Sequence, residues 1–413
     1  MLETIVDDQL QVKILHSGPS VPLLQGFAED LCQDGYRKAT TRIYIRAAER
    51  LIWWSEREAI SVSHLSEKLL ERFDDYLDRY LRYSHSHRLT LLCGGRLFLK
   101  HLRRVGLLIS PVTELKVQDP ALLTSFYQWM RQQRGTSNPT LCNYGRSIRD
   151  LLKRLGEDPS KFDAQNLRQF VLERSQKRGP SSAKTCTAAL RMFLRFLISE
   201  GKCATGLDAA IPVVAHWRLS SLPRYVQPEE VERIIASCDQ NSPVGIRDRA
   251  VLLLLARLAL RAGDIVRLRL NDIDWEKGEI RVSGKGRRQT RLPLTQEVGD
   301  ALIAYMKDGR PPTETDVLFI RCHAPFRAFT SHSAISEIVI QAMRRAGVSC
   351  KGRGAVRVLR HSAATSMLRQ GASLQDIATI LRHLSVETTK IYAKVDIAAL
   401  LKIAQPWPEV NQC

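Results

Sequence analysis

Leu381-Arg382-His383-Leu384-Ser385-Val386-Glu387-Thr388-Thr389-Lys390-Ile391-Tyr392, standing behind Val358-Leu359-Arg360-His361, is the stretch on which the reading of this chain turns. Within residues 360–392, Arg360, His361, His383 and Tyr392 supply an arginine, two histidines and a phenol. That set suits covalent attack on a phosphate, because tyrosine can act as a nucleophile that splits one difficult step into two. An Ile-Tyr pair alone carries no such weight. A tyrosine closing a helical stretch is usually a core residue, its ring buried and its hydroxyl needing one partner. The companions decide.

Composition narrows the partners. The 413 residues correspond to two to four domains at roughly 100–200 residues each, and a hydrophobic fraction of 44% is enough for their cores. With 62 Lys+Arg against 43 Asp+Glu, the formal charge is +19, a surplus suited to a polyanion such as nucleic acid. The longest apolar stretch, Ala250 to Ala256, is broken by Arg257 and falls far short of the roughly 20 residues a bilayer crossing needs. Glu3, Asp7 and Asp8 stand where a signal peptide would be basic, so an intracellular, cytoplasmic location at the nucleoid is expected, with no membrane partner. Nine cysteines without a C-x-x-C pair point to neither a disulfide framework nor a zinc site. Gly284-Lys285-Gly286 lacks the earlier glycine and the following Ser/Thr of a phosphate-binding loop. No cofactor, metal or nucleotide triphosphate is expected.

The first half reads as helices between polar turns, and parts of it occur twice. Thr40, Tyr44, Arg46 and Leu51 recur as Thr140, Tyr144, Arg146 and Leu151; Arg96, Phe98, Leu99, Leu102 and Gly106 recur as Arg191, Phe193, Leu194, Leu197 and Gly201. Two unrelated amphipathic bundles could match this far, but the shared order of features favours duplication. Asn138-Pro139 predicts a helix start with a capping side chain followed by proline. Leu190, Phe193, Leu194, Leu197 and Ile198 follow the spacing of a buried helix face that Gly201 ends. Arg37, Lys38, Arg42, Arg46 and Arg50 form one basic face; Arg146, Arg149, Lys153 and Arg154 form the other. A basic face is often merely solvated, yet beside the overall charge these faces point to DNA.

Prolines bracket a linker from Ile211 to Pro223, and Pro228-Glu229-Glu230-Val231 reads as a helix start with acids in its first turn. An apolar helix from Ala250 to Leu260 is expected next, ending in Arg261-Ala262-Gly263-Asp264. After Asn271-Asp272-Ile273-Asp274 the period becomes alternation, through Ile280 and Val282, the Gly284-Lys285-Gly286 turn and Arg291-Leu292-Pro293-Leu294, predicting a short strand and a hairpin. From Ser331 to Leu401 the pattern is again helical.

Cleaving a DNA phosphodiester without metal takes a positive cradle for the non-bridging oxygens, a task suited to arginine. It also takes an acid for the leaving sugar oxygen. Four boxes supply such groups in order: Leu260-Arg261-Ala262-Gly263-Asp264, the Gly284-Lys285-Gly286 hairpin, Leu359-Arg360-His361, and Leu381-Arg382-His383 with Tyr392 behind it. From Leu222 onward the chain resembles the tyrosine recombinase (phage integrase) family on these boxes, each weak alone and specific together. Upstream, the paired modules look like the family's helical core-binding domain.

The resemblance implies a mainly α chain, with helical DNA-binding modules and a mixed α+β catalytic domain carrying a small antiparallel sheet. Residues 1–20 would be a tail, 21–110 a duplicated core-binding-like module, 115–215 the core-binding, SAM-like domain and 222–413 the catalytic domain. Arg261 and Arg360 become the phosphate clamps, Lys285 the acid for the leaving 5′ oxygen, His383 a hydrogen-bonding partner of the phosphate, and Tyr392 the residue that forms the 3′-phosphotyrosyl link. Asp264 holds a neighbour in place, and the covalent ester conserves bond energy without ATP.

Simpler roles stand beside these. Arg261 would complement a helix dipole if it sat at a helix end, and Lys285 has the setting of an ordinary turn lysine. His383 alone would be a satisfied core or surface histidine. His361 is read as a buried structural histidine and left out of the catalytic set. Arg287, Arg288 and Arg291 are assigned to solvent or to the DNA backbone alike, whereas Arg146 and Arg149 belong to the module face read as contacting DNA. The resemblance departs at two positions. Arg357 stands where the family has histidine or lysine, and arginine can donate to phosphate but cannot accept the tyrosine's proton. If that position supplies a base, this chain must use water or another group. Ala259 stands where glycine is common, a change the fold is expected to tolerate.

The expected function is site-specific DNA recombination or integration, including transposition, by an enzyme of a mobile element. Double-stranded DNA would be its partner, bound by a homotetramer on paired sites, alone or with sister recombinases. A helix around Ala398, Leu400 and Leu401 would dock on a neighbouring protomer. The rivals are a catalytically weakened DNA-binding accessory protein of the same fold and a type IB topoisomerase.

Overall fold

Helix-forming segments with one apolar stripe dominate the chain, and each stripe is buried against its neighbours' stripes. The computed structural model describes residues 21–108, 119–177, 179–214, 222–284, 289–349, 354–396, 400–401 and 404. They divide into two compact units, one formed by Met1–Ile109 together with Ser221–Cys413, the other by Ser110–Ser220.

Within the first unit, the N-terminal module has α1 (Val21–Gln33), α2 (Lys38–Arg57), a 3-10 turn (Val62–His64), α3 (Glu67–Arg79) and α4 (His85–Arg104). Its core is built on Phe27, Leu51, Trp54, Phe73, Phe98 and Leu102. The second unit repeats that order: α5 (Ala121–Arg134), α6 (Asn138–Leu155), a 3-10 turn (Pro159–Lys161), α7 (Ala164–Lys177) and α8 (Pro180–Ser199). Residues paired in the sequence sit in matching places. Leu51 and Leu151, Phe98 and Phe193, Leu99 and Leu194, and Leu102 and Leu197 are all fully buried. Gly201, at φ +67°, follows the end of α8.

The start of α6 differs from expectation by one residue. Ser137 is its N-cap, and Asn138 already lies inside the helix, where its side-chain oxygen accepts from Arg131. The basic faces are also partly committed within their own modules. Arg149 donates to Asp119 and Tyr127, Arg154 to Glu173, and Arg50 donates to Tyr83 and lies over its ring. Arg146 is exposed.

In the C-terminal domain, Pro228 opens α9 (Pro228–Ala236), and Glu230 reaches back to the backbone N–H of Gln227. The central helix α10 (Pro243–Ala256) is buried nearly all round, as expected of a helix with no polar face. It stops at Ala256, four residues short of the expected end, because Ala259 takes a left-handed conformation at φ +49°. The short α11 (Ala262–Arg267) follows. A three-stranded antiparallel sheet comes next: β1 (Ile273–Asp274), β2 (Glu279–Ser283) and β3 (Gln289–Pro293). Ile280 pairs with Leu292 and Ser283 with Gln289. Then come α12 (Gln296–Ala304), α13 (His332–Arg345), α14 (Ala355–Arg369), α15 (Leu374–Ile380) and two 3-10 turns, Val386–Thr388 and Tyr392–Val395. This is the mainly helical fold with one small sheet that the patterns predict. The linker expected from Ile211 to Pro223 lies partly outside the described residues, as does Ala398.

At Gly94, α4 packs tightly against α2. A Cβ there would lie 2.5 Å from the Ala47 Cβ and 3.3 Å from the Tyr44 Cα, too close for a core that cannot expand freely. Gly94→Val is expected to destabilise the chain by about 1–3 kcal/mol through overpacking. Urea unfolding checks this; an unchanged or raised midpoint would contradict the close packing.

Candidate active site

Three helix-terminal regions and one helix face converge on a cavity of about 720 Å³, lined by Arg261, Arg357, Arg360, His361, His383 and Tyr392 among others. Arg357, Arg360 and His361 share one face of α14 because they are three and four residues apart. The opposite face, with Val358 and Leu359, is buried in the domain core. Arg357 is exposed at the cavity.

Arg261 does not sit at a helix C-terminus. It is the N-cap of α11, where the dipole disfavours a cation, so dipole complementation does not explain it. Its guanidinium donates instead to the carbonyls of Leu381 (3.2 Å) and Arg382 (3.0 Å). Arg360 donates to the same Leu381 carbonyl and to that of Ala259. Two clamps far apart in sequence are thus tied to one turn.

Asp264, almost fully buried, receives the backbone N–H of Arg261 at 3.3 Å and the guanidiniums of Arg267 at 3.0 Å and Arg382 at 2.6 Å. Arg382 did not stand out in the sequence, yet its side chain is buried on Asp264 and its backbone is left-handed at φ +52°. Its Nε and Nη1 have no hydrogen-bond partner among the described residues.

The electrostatics follow from this crowding. Burial, then the like charges of Arg261 and Arg382, push Arg360 down to about 9, and it remains charged at neutral pH. Burial, then Arg382, also lowers Arg261. His383 places Nδ1 2.8 Å from the Thr389 hydroxyl; burial, then Arg360 and Arg261, push it down to about 4. Tyr392, only 1% exposed, is pushed up to about 12 by burial, partly offset by Arg360.

His361 is expected from the sequence to be a buried structural histidine. It places Nδ1 2.8 Å from the Tyr392 hydroxyl, with its imidazole pushed down to about 4 by burial, then by Arg360 and Arg357. No local pattern reveals that contact, which spans 31 residues; the only signal was its place beside Arg360 on the same helix. Lys285, Arg287 and Arg288 lie outside the described residues. Arg291 is exposed and donates to Glu279 across the strand pair. No group of three or more metal-ligating side chains is found among the described residues, and no described helix is long and apolar enough to cross a membrane.

Comparison with known proteins bears on the class. A model described as "Phage integrase family" matches residues 224–398, and one described as "Phage integrase, N-terminal SAM-like domain" matches residues 123–201. A Sinorhizobium fredii protein provisionally named integrase/recombinase y4rA is 35% identical over 95% of this chain and 95% of its own length. The tyrosine recombinase XerD of Listeria innocua is 26% identical over 66% of this chain and 94% of its own. The fold is shared with a lambda integrase fragment bound as a dimer to a core site, at TM-score 0.53 and 18% identity over 70% of this chain and 98% of that one. It is shared equally with XerH recombinase in a post-cleavage complex, at TM-score 0.53 and 18% identity, covering 88% and 95%. The chain belongs to the phage integrase family, the tyrosine recombinases, whose members cleave and rejoin DNA.

The buried histidines make stability depend on pH. Both imidazoles are held at about 4, below their usual 6.5, so between those values the unfolded chain binds more protons and stability rises with pH. Their contribution is complete above about pH 6.5 and is lost as pH falls toward 4. The melting temperature should therefore fall across that window, and less steeply in a His361→Gln/His383→Gln double variant; identical pH slopes would contradict the assignment.

Proposed function

We propose that this chain is a site-specific recombinase of a mobile element that cuts and rejoins duplex DNA through Tyr392. The observation that carries the reading is the joint anchoring of Arg261 and Arg360 on the Leu381 carbonyl, beside a cavity that Tyr392 also lines. A phosphodiester seated there meets two fixed guanidiniums. Their charge is preorganised for the five-coordinate state, in which negative charge on the non-bridging oxygens grows.

In the forward step, the Tyr392 hydroxyl oxygen bonds to phosphorus and the bond to the 5′ oxygen breaks. A 3′-phosphotyrosyl ester and a free 5′ hydroxyl result. Lys285 would protonate the leaving oxygen. His383, held through Nδ1 by Thr389, would present Nε2 to a non-bridging oxygen, and Asp264 with Arg382 would fix the turn that carries the clamps. In the reverse step, the 5′ hydroxyl of a second strand attacks the ester and releases Tyr392. Two of the solved relatives are described as a tetramer on a Holliday junction and as a transposon integrase with circular intermediate DNA. By analogy this chain would act as a tetramer on paired sites, alone or with sister recombinases, in the cytoplasm at the nucleoid. Leu400 and Leu401, both exposed, would contribute to protomer contact.

Arg146, with Arg287 and Arg288, would add backbone contacts to DNA, whereas Arg149 and Arg291 serve mainly their own carboxylate partners. Residues 21–110 are read as a duplicated core-binding-like module, 115–215 as the core-binding domain and 222–413 as the catalytic domain. The relatives named integrase and XerD favour recombination over relaxation of a single duplex.

The test is adduct formation on nicked duplexes selected from a random-sequence library with the wild-type chain. Wild-type protein should form a denaturation-resistant adduct, and Tyr392→Phe should bind the same DNA without forming one. An adduct that persists in Tyr392→Phe would place the nucleophile elsewhere. Arg357→His should retain or raise the adduct rate, since it replaces a permanent cation by a group that exchanges protons near neutrality. A loss beyond about tenfold, roughly 1.4 kcal/mol of barrier, would instead assign Arg357 a role of its own.

A further inference from the structure

Arg357 leaves the proposed reaction without a proton acceptor at the usual position, because a guanidinium has five donors and no acceptor. The proton on Tyr392 must still leave. Around its hydroxyl, the described structure offers one hydrogen-bonding side chain, His361, whose Nδ1 lies 2.8 Å away. The rings are held at a centroid distance of 5.6 Å, and both residues line the cavity. His383 is differently committed, with its Nδ1 on the Thr389 hydroxyl.

From this geometry, and resting on the reaction proposed above, we propose that His361 is a catalytic residue that takes the Tyr392 proton on Nδ1 during attack and returns it during rejoining. As the tyrosine oxygen bonds to phosphorus, its O–H bond breaks and the proton moves to Nδ1, giving an imidazolium. The 5′ oxygen leaves with a proton from Lys285. In the return step, the incoming 5′ hydroxyl gives its proton to Lys285, and the departing tyrosine oxygen recovers its own from Nδ1. Protons and charge balance within the chain and the two DNA strands, with no further reactant.

The electrostatics set the timing. Within the protein the phenol holds its proton and the imidazole is neutral, each driven that way mainly by burial. The phenol therefore donates to Nδ1, and the imidazole hydrogen sits on Nε2. Arg360 and Arg357 are the cations that depress His361. A phosphodiester on the clamps offsets those charges, and the second negative charge of the five-coordinate state offsets them further. His361 thus becomes more basic as the phenol becomes more acidic, and no tyrosinate need exist beforehand. A histidine at this position does for the reaction what Arg357 cannot.

The experiment uses the full-length chain and the nicked duplex that traps the wild-type adduct. His361→Gln should lower the adduct rate at least about 100-fold, the scale of a lost general base, while DNA affinity stays within about twofold. His361→Asn provides a second variant if the glutamine one does not fold. Fluorotyrosine placed at position 392 has a more acidic phenol and should narrow the gap between wild type and variant to less than about tenfold. A folded variant that reacts within about threefold of wild type, or a gap that fluorotyrosine leaves unchanged, overturns the role of His361 and leaves it structural. Failure of the wild-type chain to form any adduct overturns the reaction itself, and His361's part with it.

Discussion

One carbonyl, that of Leu381, holds this site together. Arg261 and Arg360 both donate to it, so two like charges 99 positions apart in sequence are held beside each other at the edge of the core. Such a pair is unfavourable unless its hydrogen bonds are satisfied and its charge finds an opposite. The carbonyls of Ala259, Leu381 and Arg382 meet the first condition. Asp264 meets the second only in part, since one carboxylate faces the guanidiniums of Arg261, Arg267 and Arg382, with the charge of Arg360 acting on it as well. The remaining positive charge is what a phosphodiester would neutralise.

Backbone strain accompanies the arrangement. Two of the four non-glycine residues with positive φ in the described chain are Ala259 and Arg382, and both present carbonyls to the clamps. A side chain in the left-handed region costs roughly 1–2 kcal/mol. Here that conformation turns the chain between α10 and α11 and at the end of α15, bringing these carbonyls to the guanidiniums. Glycine would adopt both conformations at less cost. The Ala259 side chain is buried beside Ala363, Ala364, Ile377, Leu381 and Tyr392, so its methyl group also serves the packing around the nucleophile.

Much of this was legible in the sequence because it was carried by local patterns. The 3.6-residue period placed α8, strand alternation placed β2, and Pro228 with Glu230 placed α9. Arg261, Arg360, His383 and Tyr392 were marked by their boxes, and the structure brings these four to one cavity. What the sequence did not disclose depends on contacts between distant residues. The run from Ala250 to Leu260 gives no sign that α10 stops at Ala256, since the residue that turns the chain is an alanine. Arg149 looked like part of a DNA-facing surface until Asp119, 30 residues earlier, claimed it. His361 looked structural because its role lies in the distance to Tyr392, and Arg382 was hidden because only folding brings it to Asp264.

The central claim is that the Tyr392 hydroxyl becomes esterified to a DNA 3′ phosphate. Mass spectrometry of the trapped complex, after nuclease trimming and proteolysis, tests it most directly. The account predicts a nucleotide remnant attached through phosphate to the peptide at Tyr392; the remnant on any other residue would contradict it.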